Sequence, residues 1–227
     1  VSHFNLVYTE HARRNLLEEG LPEKRIIKTG SPLREVLSKQ KKHIAESHVL
    51  SELGLNEKEF ALASFHRQEN VENSSRLTRL VSALSELADL KGLKMLVSTH
   101  PRTLSALSRL GIERPGNLLF LDPLVFSDYI HLQNNASFIV SDSGTISEEA
   151  SILGLTAITP RPLIERKEAL EPGVVPTVDL SAESMMTALS ILATRKTVPV
   201  VPDYEVEDFS QVVSSFIAST IFMRDQV

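Results

Sequence analysis

Short apolar runs alternate with longer amphipathic segments along this chain. The apolar runs are rich in Val, Ile and Phe and predict strands near Phe4–Tyr8, Arg25–Lys28, Phe60–Phe65, Lys94–Ser98, Asn117–Leu121, Ser137–Val140, Thr156–Ile158 and Val174–Val178. The amphipathic segments predict helices at His11–Glu19, Pro32–Lys41, His43–Leu53, Ser75–Leu90, Arg102–Leu110, Phe126–Gln133, Ile146–Leu153, Ala182–Ala193 and about Val206–Phe222. Because strands and helices alternate and the strands are almost wholly apolar, the pattern predicts an α/β fold with a Rossmann-like, doubly wound parallel sheet.

The same pattern divides the chain into three parts. Residues 1–34 supply only a strand, a helix and a strand, too little to bury a core, so we expect the tail of a preceding Rossmann-like domain and its linker. Residues 35–200 contain the doubly wound unit. Residues 201–227 contain the last helix, which we expect to cross back to the preceding domain. Val1 is an unusual first residue, which also indicates a longer parent protein.

This division predicts exposed apolar surface near the N-terminus. The side chains concerned are Phe4, Leu6, Val7, Leu16 and Leu17. If a preceding domain normally covers them, isolated copies of the chain should associate through that surface. We therefore expect a homodimer.

Composition narrows the classes of partner. The net charge of −5 argues against binding to nucleic acid or to an anionic membrane. No apolar run reaches the ~18 residues of a membrane span, and the first residues lack the basic and apolar regions of a signal peptide. The absence of cysteine excludes a disulfide framework and a thiolate metal site. Together these features predict a cytoplasmic protein.

The most informative segment runs from Ile139 to Glu149. A buried strand ends there, Ser143 and Gly144 make a turn, and a helix begins with free N–H groups. Those amides and the helix dipole predict a phosphate site, which the missing side chain of Gly144 leaves open to a ligand. Thr145 adds a hydroxyl, and Glu149 one turn later can accept the two hydroxyls of a ribose. The alternative is a capped helix whose acidic residues only complement its dipole.

A polar loop follows the predicted strand that ends at Phe65. It consists of His66-Arg67-Gln68-Glu69-Asn70 and lies where open α/β sheets bind ligands. His66 is suited to acid–base work near neutral pH, and Arg67 to bidentate phosphate binding. A solvated or purely structural loop is the alternative.

Two further polar segments also follow predicted strands. In Ser98-Thr99-His100-Pro101-Arg102, which opens a helix, His100 is either a helix cap or a ligand contact. Ile164-Glu165-Arg166-Lys167-Glu168 is a charged cluster, for which a solvated surface run is the alternative. All four segments follow strands of one parallel sheet, so they should open on one edge. That convergence is stronger than any single motif.

Several motifs together resemble those of a known family. They are His66-Arg67-x-Glu69-Asn70, then Asp142-Ser143-Gly144 with Glu148-Glu149, then Glu165-Arg166-x-Glu168-Ala169, preceded by Arg14-Asn15-Leu16-Leu17-x-Glu19-Gly20 and Ile27-x-x-Gly30. In this order they resemble the bacterial non-hydrolysing UDP-N-acetylglucosamine 2-epimerases, over essentially the whole chain. The resemblance implies one half of a GT-B type fold, in which two Rossmann-like domains bind uridine diphosphate (UDP) in their cleft.

The resemblance implies roles for individual positions. His66 matches a histidine important for catalysis. The implied substrate-binding positions are Arg67, Glu69, Asn70, His100, Tyr129, Ser143, Gly144, Thr145, Glu149 and Arg166. Of these, Ser143, Gly144 and Thr145 would hold the diphosphate, which Arg166 would reach.

Other positions in that set would contact the nucleoside or a second ligand. Glu149 would bind the ribose, and Tyr129 lies where the family places an aromatic residue near the uracil. Arg67 and His100 match contacts to a second, regulatory UDP-sugar in some members.

The sequence also departs from the family. Gln68, Thr145 and Lys167 stand where the family often has Arg, Gly and Pro. The segments 98–103 and 143–149 look more like the branch that epimerises UDP-2-acetamido-2,6-dideoxy-L-talose.

The implied activity is inversion at C2 of a UDP-2-acetamido sugar, for precursors of cell-surface polysaccharide. UDP is eliminated to leave a 2-acetamidoglucal and is then added back. The partners implied are the UDP-sugar and the N-terminal domain of the same protein, which would carry the acid–base carboxylates. No metal or nicotinamide cofactor is needed, and this nucleotide-binding half would be inactive alone.

Two other functions are consistent with the pattern. A GT-B glycosyltransferase that uses UDP-sugar donors shares the fold and the phosphate turn. A non-catalytic nucleotide-binding or receiver module is the second. A receiver would need an acidic pair after its first strand, whereas the strand at Phe60–Phe65 is followed by His66-Arg67.

Overall fold

The computed structural model describes residues 2–161 and 166–220. Within them the strands are β1 Asn5–Val7, β2 Ile26–Lys28, β3 Phe60–Ser64, β4 Lys94–Ser98, β5 Leu118–Leu121, β6 Ile139–Ser141 and β7 Ala157–Ile158. The α-helices are α1 Glu10–Glu18, α2 Leu33–Ala45, α3 Val49–Glu52, α4 Gln68–Val71, α5 Ser74–Lys91, α6 Pro101–Arg109, α7 Phe126–Asn135, α8 Ile146–Leu153, α9 Lys167–Leu170, α10 Ala182–Ala193 and α11 Phe209–Thr220. Short 3-10 helices lie at Glu23–Arg25 and Pro202–Tyr204.

A five-stranded parallel sheet forms the centre of the fold. Its strand order is β5-β4-β3-β6-β7, so the direction of winding reverses between β3 and β6. Leu62 of β3 pairs with Ile139 of β6 and with Leu96 of β4. This topology confirms the predicted Rossmann-like, doubly wound α/β fold.

Alternate residues of β3 face two separate cores. Ala61 and Ala63 pack on the side covered by α5, α6 and α10. Phe60 and Leu62 pack on the opposite side, which α7 and α8 cover. All four side chains are fully buried. Helices on both faces explain why the strands are almost continuously apolar.

The first 30 residues form a separate small unit. β1 and β2 pair as a two-stranded parallel sheet, and no residue of α1 is fully buried. Phe4 packs edge-on against Phe216 of α11, with ring centroids 5.1 Å apart, and Tyr8 packs in the same way against Phe209 at 6.4 Å. The last helix therefore lies against the first segment. The three-part division of the chain stays a prediction.

Polar contacts also fasten the two ends of the chain together. The Asp203 carboxylate accepts from Lys28 Nζ at 2.8 Å and from the Glu10 amide at 2.9 Å. Gly30 has a φ of +78°, and a Cβ added there would lie 2.2 Å from Val206 Cγ2. A residue without a side chain is therefore required where these two segments cross.

Glu35 of α2 determines where α11 begins. Its Oε2 accepts the amide of Ser210 at 2.7 Å, and the Ser210 hydroxyl and the Lys39 ammonium bond to Oε1. The bonds to Lys39 and Ser210 lower the pKa of this carboxyl to about 2. The carboxylate caps the helix from outside, which explains why the helix starts at Phe209 and not at Val206 as predicted.

The structure corrects three other predictions. Val174–Val178 is not a strand, because a single bridge joins Thr159 to Thr177 and Pro176 has no N–H to extend the ladder. The predicted break near Lys42 is absent, since α2 continues to Ala45 and only the short α3 follows. The helices α4 and α9 were not predicted. No helix of residues 2–161 and 166–220 is both long and apolar enough to cross a membrane.

Candidate functional site

The candidate site lies at the carboxyl ends of β3 and β6. Ligands of open α/β sheets bind at this edge where the strand order reverses, because the loops on either side diverge there. The loop after β3 carries His66 and Arg67, and the turn after β6 carries Ser143, Gly144 and Thr145. The structure therefore brings together two of the four segments from which the sequence predicted a site.

Asp142 joins these two segments. Its side chain is 0% exposed. The carboxylate accepts the main-chain amides of His66 and Arg67, each at 3.0 Å, and the side-chain amide of Asn70 at 2.9 Å. Hydrogen bonds to a charged acceptor contribute roughly 1.5–3 kcal/mol each. Three such bonds fix the path of the loop after β3 relative to the turn after β6.

The turn after β6 is a candidate anion site. Ser141 Oγ accepts the Ser143 amide at 3.1 Å, and Ser143 Oγ lies 2.9 Å from Thr145 Oγ1. Helix α8 then begins at Ile146, so its first-turn amides have no partner within the helix. Amides in this position, with the helix dipole behind them, favour a phosphate group.

Arg67 lies over this turn. Its Nε donates to the Asp142 carbonyl oxygen at 3.2 Å, and its Nη2 would be 3.0 Å from a Cβ added to Gly144. The guanidinium therefore occupies the space that a side chain at Gly144 would need. The His66 side chain next to it is 45% exposed, so it opens towards a ligand.

Glu149 is buried one turn into α8. Its carboxylate accepts from Thr145 Oγ1 at 2.7 Å and from Gln133 Nε2 at 2.6 Å. Burial raises the pKa of this carboxyl above its usual range. Each oxygen keeps a second lone pair, and contact with a ribose stays a prediction.

Tyr129 is half-buried in α7. Its ring packs with the core on the α7 and α8 side. Burial raises the pKa of the hydroxyl, and the nearby side chains of Ser64, Gln133 and Ser141 act in the opposite direction. The hydroxyl therefore lies near the ends of β3 and β6. A position near a uracil stays a prediction.

Asn70 and Glu69 differ in exposure. Asn70 is fully buried, and its Oδ1 accepts from Arg76 Nη2 at 2.9 Å while its amide binds Asp142. In this structure it therefore acts by holding Asp142. Glu69 is exposed and lies 3.9 Å from Arg161 Nε. Substrate contact by either residue stays a prediction.

His100 caps a helix. Its Nδ1 accepts the Arg102 amide at 3.2 Å, at the start of α6, and its side chain is exposed. His100 is therefore a helix cap in this structure, and its binding of a regulatory ligand stays a prediction. In the same helix, buried Thr103 donates from its hydroxyl to the Phe65 carbonyl at 2.9 Å and supports the His66 loop from below.

Arg166 lies in a network of charged and aromatic groups. It pairs with Glu148 at 2.8 Å and with Glu168 at 3.8 Å, and its Cζ lies 5.7 Å from the centre of the Tyr8 ring. Contact with a diphosphate stays a prediction. Glu165, the first residue of the matching motif, lies outside the described residues.

Two residues near the site were not predicted to have a role. Asp142 stood in a recognised motif, but nothing local in the sequence shows that its partners lie after another strand. Gln133 has no distinguishing pattern and is identified only by its bond to Glu149. Among residues 2–161 and 166–220, no three His, Cys, Asp or Glu side chains group as a metal site would require.

The chain is similar in structure and in sequence to known proteins. The structure of UDP-N-acetylglucosamine 2-epimerase from Rickettsia bellii is similar, with a TM-score of 0.85 and 35% identity over 100% of this chain and 61% of that chain. The family model described as UDP-N-acetylglucosamine 2-epimerase matches residues 1–217. The chain belongs to the UDP-N-acetylglucosamine 2-epimerase family.

Other members of the epimerase family show the same partial coverage. The Methanocaldococcus jannaschii UDP-N-acetylglucosamine 2-epimerase is 29% identical over 204 residues, which is 86% of this chain and 56% of that protein. Its crystal structure in complex with UDP-GlcNAc and UDP gives a TM-score of 0.88 at 26% identity, over 96% of this chain and 61% of that chain. The chain thus spans about half the length of the curated relatives it matches. Its sheet corresponds to one half of their GT-B fold.

The contact between Gly144 and Arg67 generates a prediction. We expect Gly144→Val to lower the affinity for a nucleoside diphosphate by about tenfold or more, because branched methyls would fill the space above the turn. The backbone at Gly144 is not in the left-handed region, and Arg67 Nη2 is the end of a flexible side chain, so thermal stability should change little. Isothermal titration and thermal melting measure the two effects.

Gly116→Val is the matched control. A Cβ at Gly116 meets nothing within 4 Å, and its φ is also outside the left-handed region. This variant should bind the nucleotide like the parent chain. Unchanged affinity in Gly144→Val would show that the turn only begins a helix.

Proposed function

We propose that this chain is the nucleotide-binding half of a UDP-sugar 2-epimerase, an isomerase that inverts C2 of a UDP-2-acetamido sugar. The observation that carries the proposal is the switch point of the sheet. There Arg67 lies over the Ser143–Thr145 turn, and exposed His66 follows the adjacent strand. Membership of the epimerase family supports the same function and favours it over a glycosyltransferase or a receiver module.

The reaction has two steps that balance. In the first, a base removes the proton at C2, the C1–O bond breaks, and UDP leaves with the bonding electrons to give a 2-acetamidoglucal. In the second, a UDP oxygen adds back to C1, and C2 receives a proton on the opposite face. The protein must hold the leaving diphosphate in both steps and place proton donors and acceptors on both faces of C2.

This chain supplies the groups that bind the leaving diphosphate. Donors that face the developing negative charge lower the barrier, because they are already oriented when the C1–O bond breaks. The amides at the start of α8 and the guanidinium of Arg67 are placed for this. In the proposal Arg166 adds a second cation, and His66, when protonated, donates from Nε2 to the bridging oxygen as UDP leaves and accepts the proton back when UDP adds to C1. The carboxylates that exchange the C2 proton belong to the remaining half of the protein.

In the proposal, the nucleoside and the sugar are recognised by other residues. Glu149 binds the ribose hydroxyls with its free lone pairs, and Tyr129 lies on the side of the base. The substrate in the proposal is a UDP-2-acetamido sugar, and the segments 98–103 and 143–149 favour the 2-acetamido-2,6-dideoxy-L-talose series.

Nucleotide selectivity is the first prediction from this function. The isolated chain should bind UDP more tightly than GDP or ADP, because membership of the UDP-N-acetylglucosamine 2-epimerase family supports a uridine nucleotide. Binding should be weak, since only one wall of the cleft is present to exclude water. Isothermal titration with the three nucleotides at equal ionic strength measures this. Equal affinities for all three would contradict the uridine assignment.

The division of work between the two halves gives the next prediction. The chain alone should not exchange the C2 proton of a UDP-2-acetamido sugar with deuterated solvent. The longer parent protein should exchange it, and His66→Ala in that protein should suppress the exchange. Deuterium incorporation at C2, followed by NMR, is the assay. Exchange by this chain alone at the parent rate would place the base here and refute the division.

A further inference from the structure

We infer that Asp142 is a positioning residue that fixes the orientation and the tautomer of His66, so that Nε2 of the imidazole faces the ligand. The identity of that ligand rests on the proposed function. The tautomer does not, since it is a property of the protein without ligand.

The groups around Asp142 match an ionised carboxylate. The main-chain amides of His66 and Arg67 and the side-chain amide of Asn70 all point at the carboxylate. An ionised carboxylate only accepts hydrogen bonds, so it matches three donors, whereas an asparagine would present its own NH2 group to at least one of them. The position therefore requires an acid rather than any polar residue of this size.

The side chain of Asp142 is fully buried. Asp142 is 0% exposed, and burying a carboxylate is costly unless hydrogen bonds replace its water. Asn70, which donates to the Asp142 carboxylate, accepts hydrogen bonds on its Oδ1 from Nε and Nη2 of Arg76, at 3.3 and 2.9 Å. Asn70 thus links the carboxylate to a positively charged guanidinium. The carboxylate is thus built into a chain of donors that begins at α5 and ends at the His66 loop.

The imidazole of His66 lies beside the Asp142 carboxylate. His66 Nδ1 lies 3.6 Å from Asp142 Oδ1. This is longer than a hydrogen bond, but the carboxylate is a charged acceptor beside Nδ1, and its charge favours an N–H on that side of the ring in the chain without ligand. An acceptor on this side favours the tautomer with hydrogen on Nδ1. Nε2 is then directed to the exposed side, where the diphosphate is proposed to bind.

Asp142 lies at the start of the proposed phosphate turn. Its own amide donates to the Ser64 carbonyl at 3.1 Å, at the end of β3. The same residue therefore fixes the strand end, the loop after β3 and the beginning of the turn after β6. Any displacement of Asp142 moves the imidazole and the phosphate-binding amides relative to each other.

Asp142→Asn tests the inference, with Thr103→Val as the matched control. Thr103 is fully buried and binds the Phe65 carbonyl, so Thr103→Val removes a hydrogen bond from the base of the same loop without touching Asp142. Two properties are measured for each chain. They are the affinity for UDP by titration, and the tautomer of His66 from the 15N shifts of its ring at about pH 8, where an ordinary histidine is neutral.

We expect the parent chain and Thr103→Val to show hydrogen on Nδ1 of His66 and to bind UDP equally well. Asp142→Asn should shift the tautomer population towards Nε2, and it should reduce UDP affinity by about tenfold or more because its NH2 group displaces the loop after β3 from the turn after β6. Loss of affinity without a change of tautomer, or equal losses in both variants, would reduce Asp142 to a structural support and overturn the inference.

The parent chain alone keeps the inference testable if Asp142→Asn does not fold. Hydrogen on Nε2 of His66 in the parent chain would overturn it directly. Failure of the parent chain to bind UDP, with hydrogen on Nδ1 as expected, would contradict the proposed function and leave the positioning of His66 supported.

Discussion

The buried carboxylate of Asp142 receives the amides of His66 and Arg67 at 3.0 Å each, across the boundary between two strands of the sheet. The reversal of strand order between β3 and β6 creates an opening that any doubly wound sheet would have. In this chain the loop on one side is bound to the turn on the other through Asp142. The charged and polar side chains of both segments are consequently held in one place without a ligand.

Around this link, most polar side chains are already occupied. Glu149 binds Thr145 and Gln133, Asn70 binds Arg76, and Arg166 binds Glu148. In the proposed function, the first-turn amides of α8, the exposed side chain of His66 and the guanidinium of Arg67 are the groups left to bind the ligand. Preorganised donors stabilise charge that develops during a reaction, because they need not reorient.

Sequence patterns predicted the sheet and the edge at which the site lies, because strand and helix periods and turn residues are local properties. One failure was local, since the strand expected at Val174–Val178 is absent because Pro176 cannot extend the ladder. The others arose where a distant partner decides the outcome. The start of α11 depends on a carboxylate from α2, Glu35. In the same way, the role of Asp142 depends on residues that lie more than one strand away in sequence, and only the folded structure shows them together.

Hydrogen–deuterium exchange with and without UDP tests the central claim most directly. The account predicts slower amide exchange in the peptides that cover residues 65–71 and 141–149, on both sides of the Asp142 link. Exchange should be unchanged on the outer faces of α5 and α10, which lie away from this edge. Protection confined to other segments, or to only one of the two at saturating UDP, would contradict the claim that these loops form a single site.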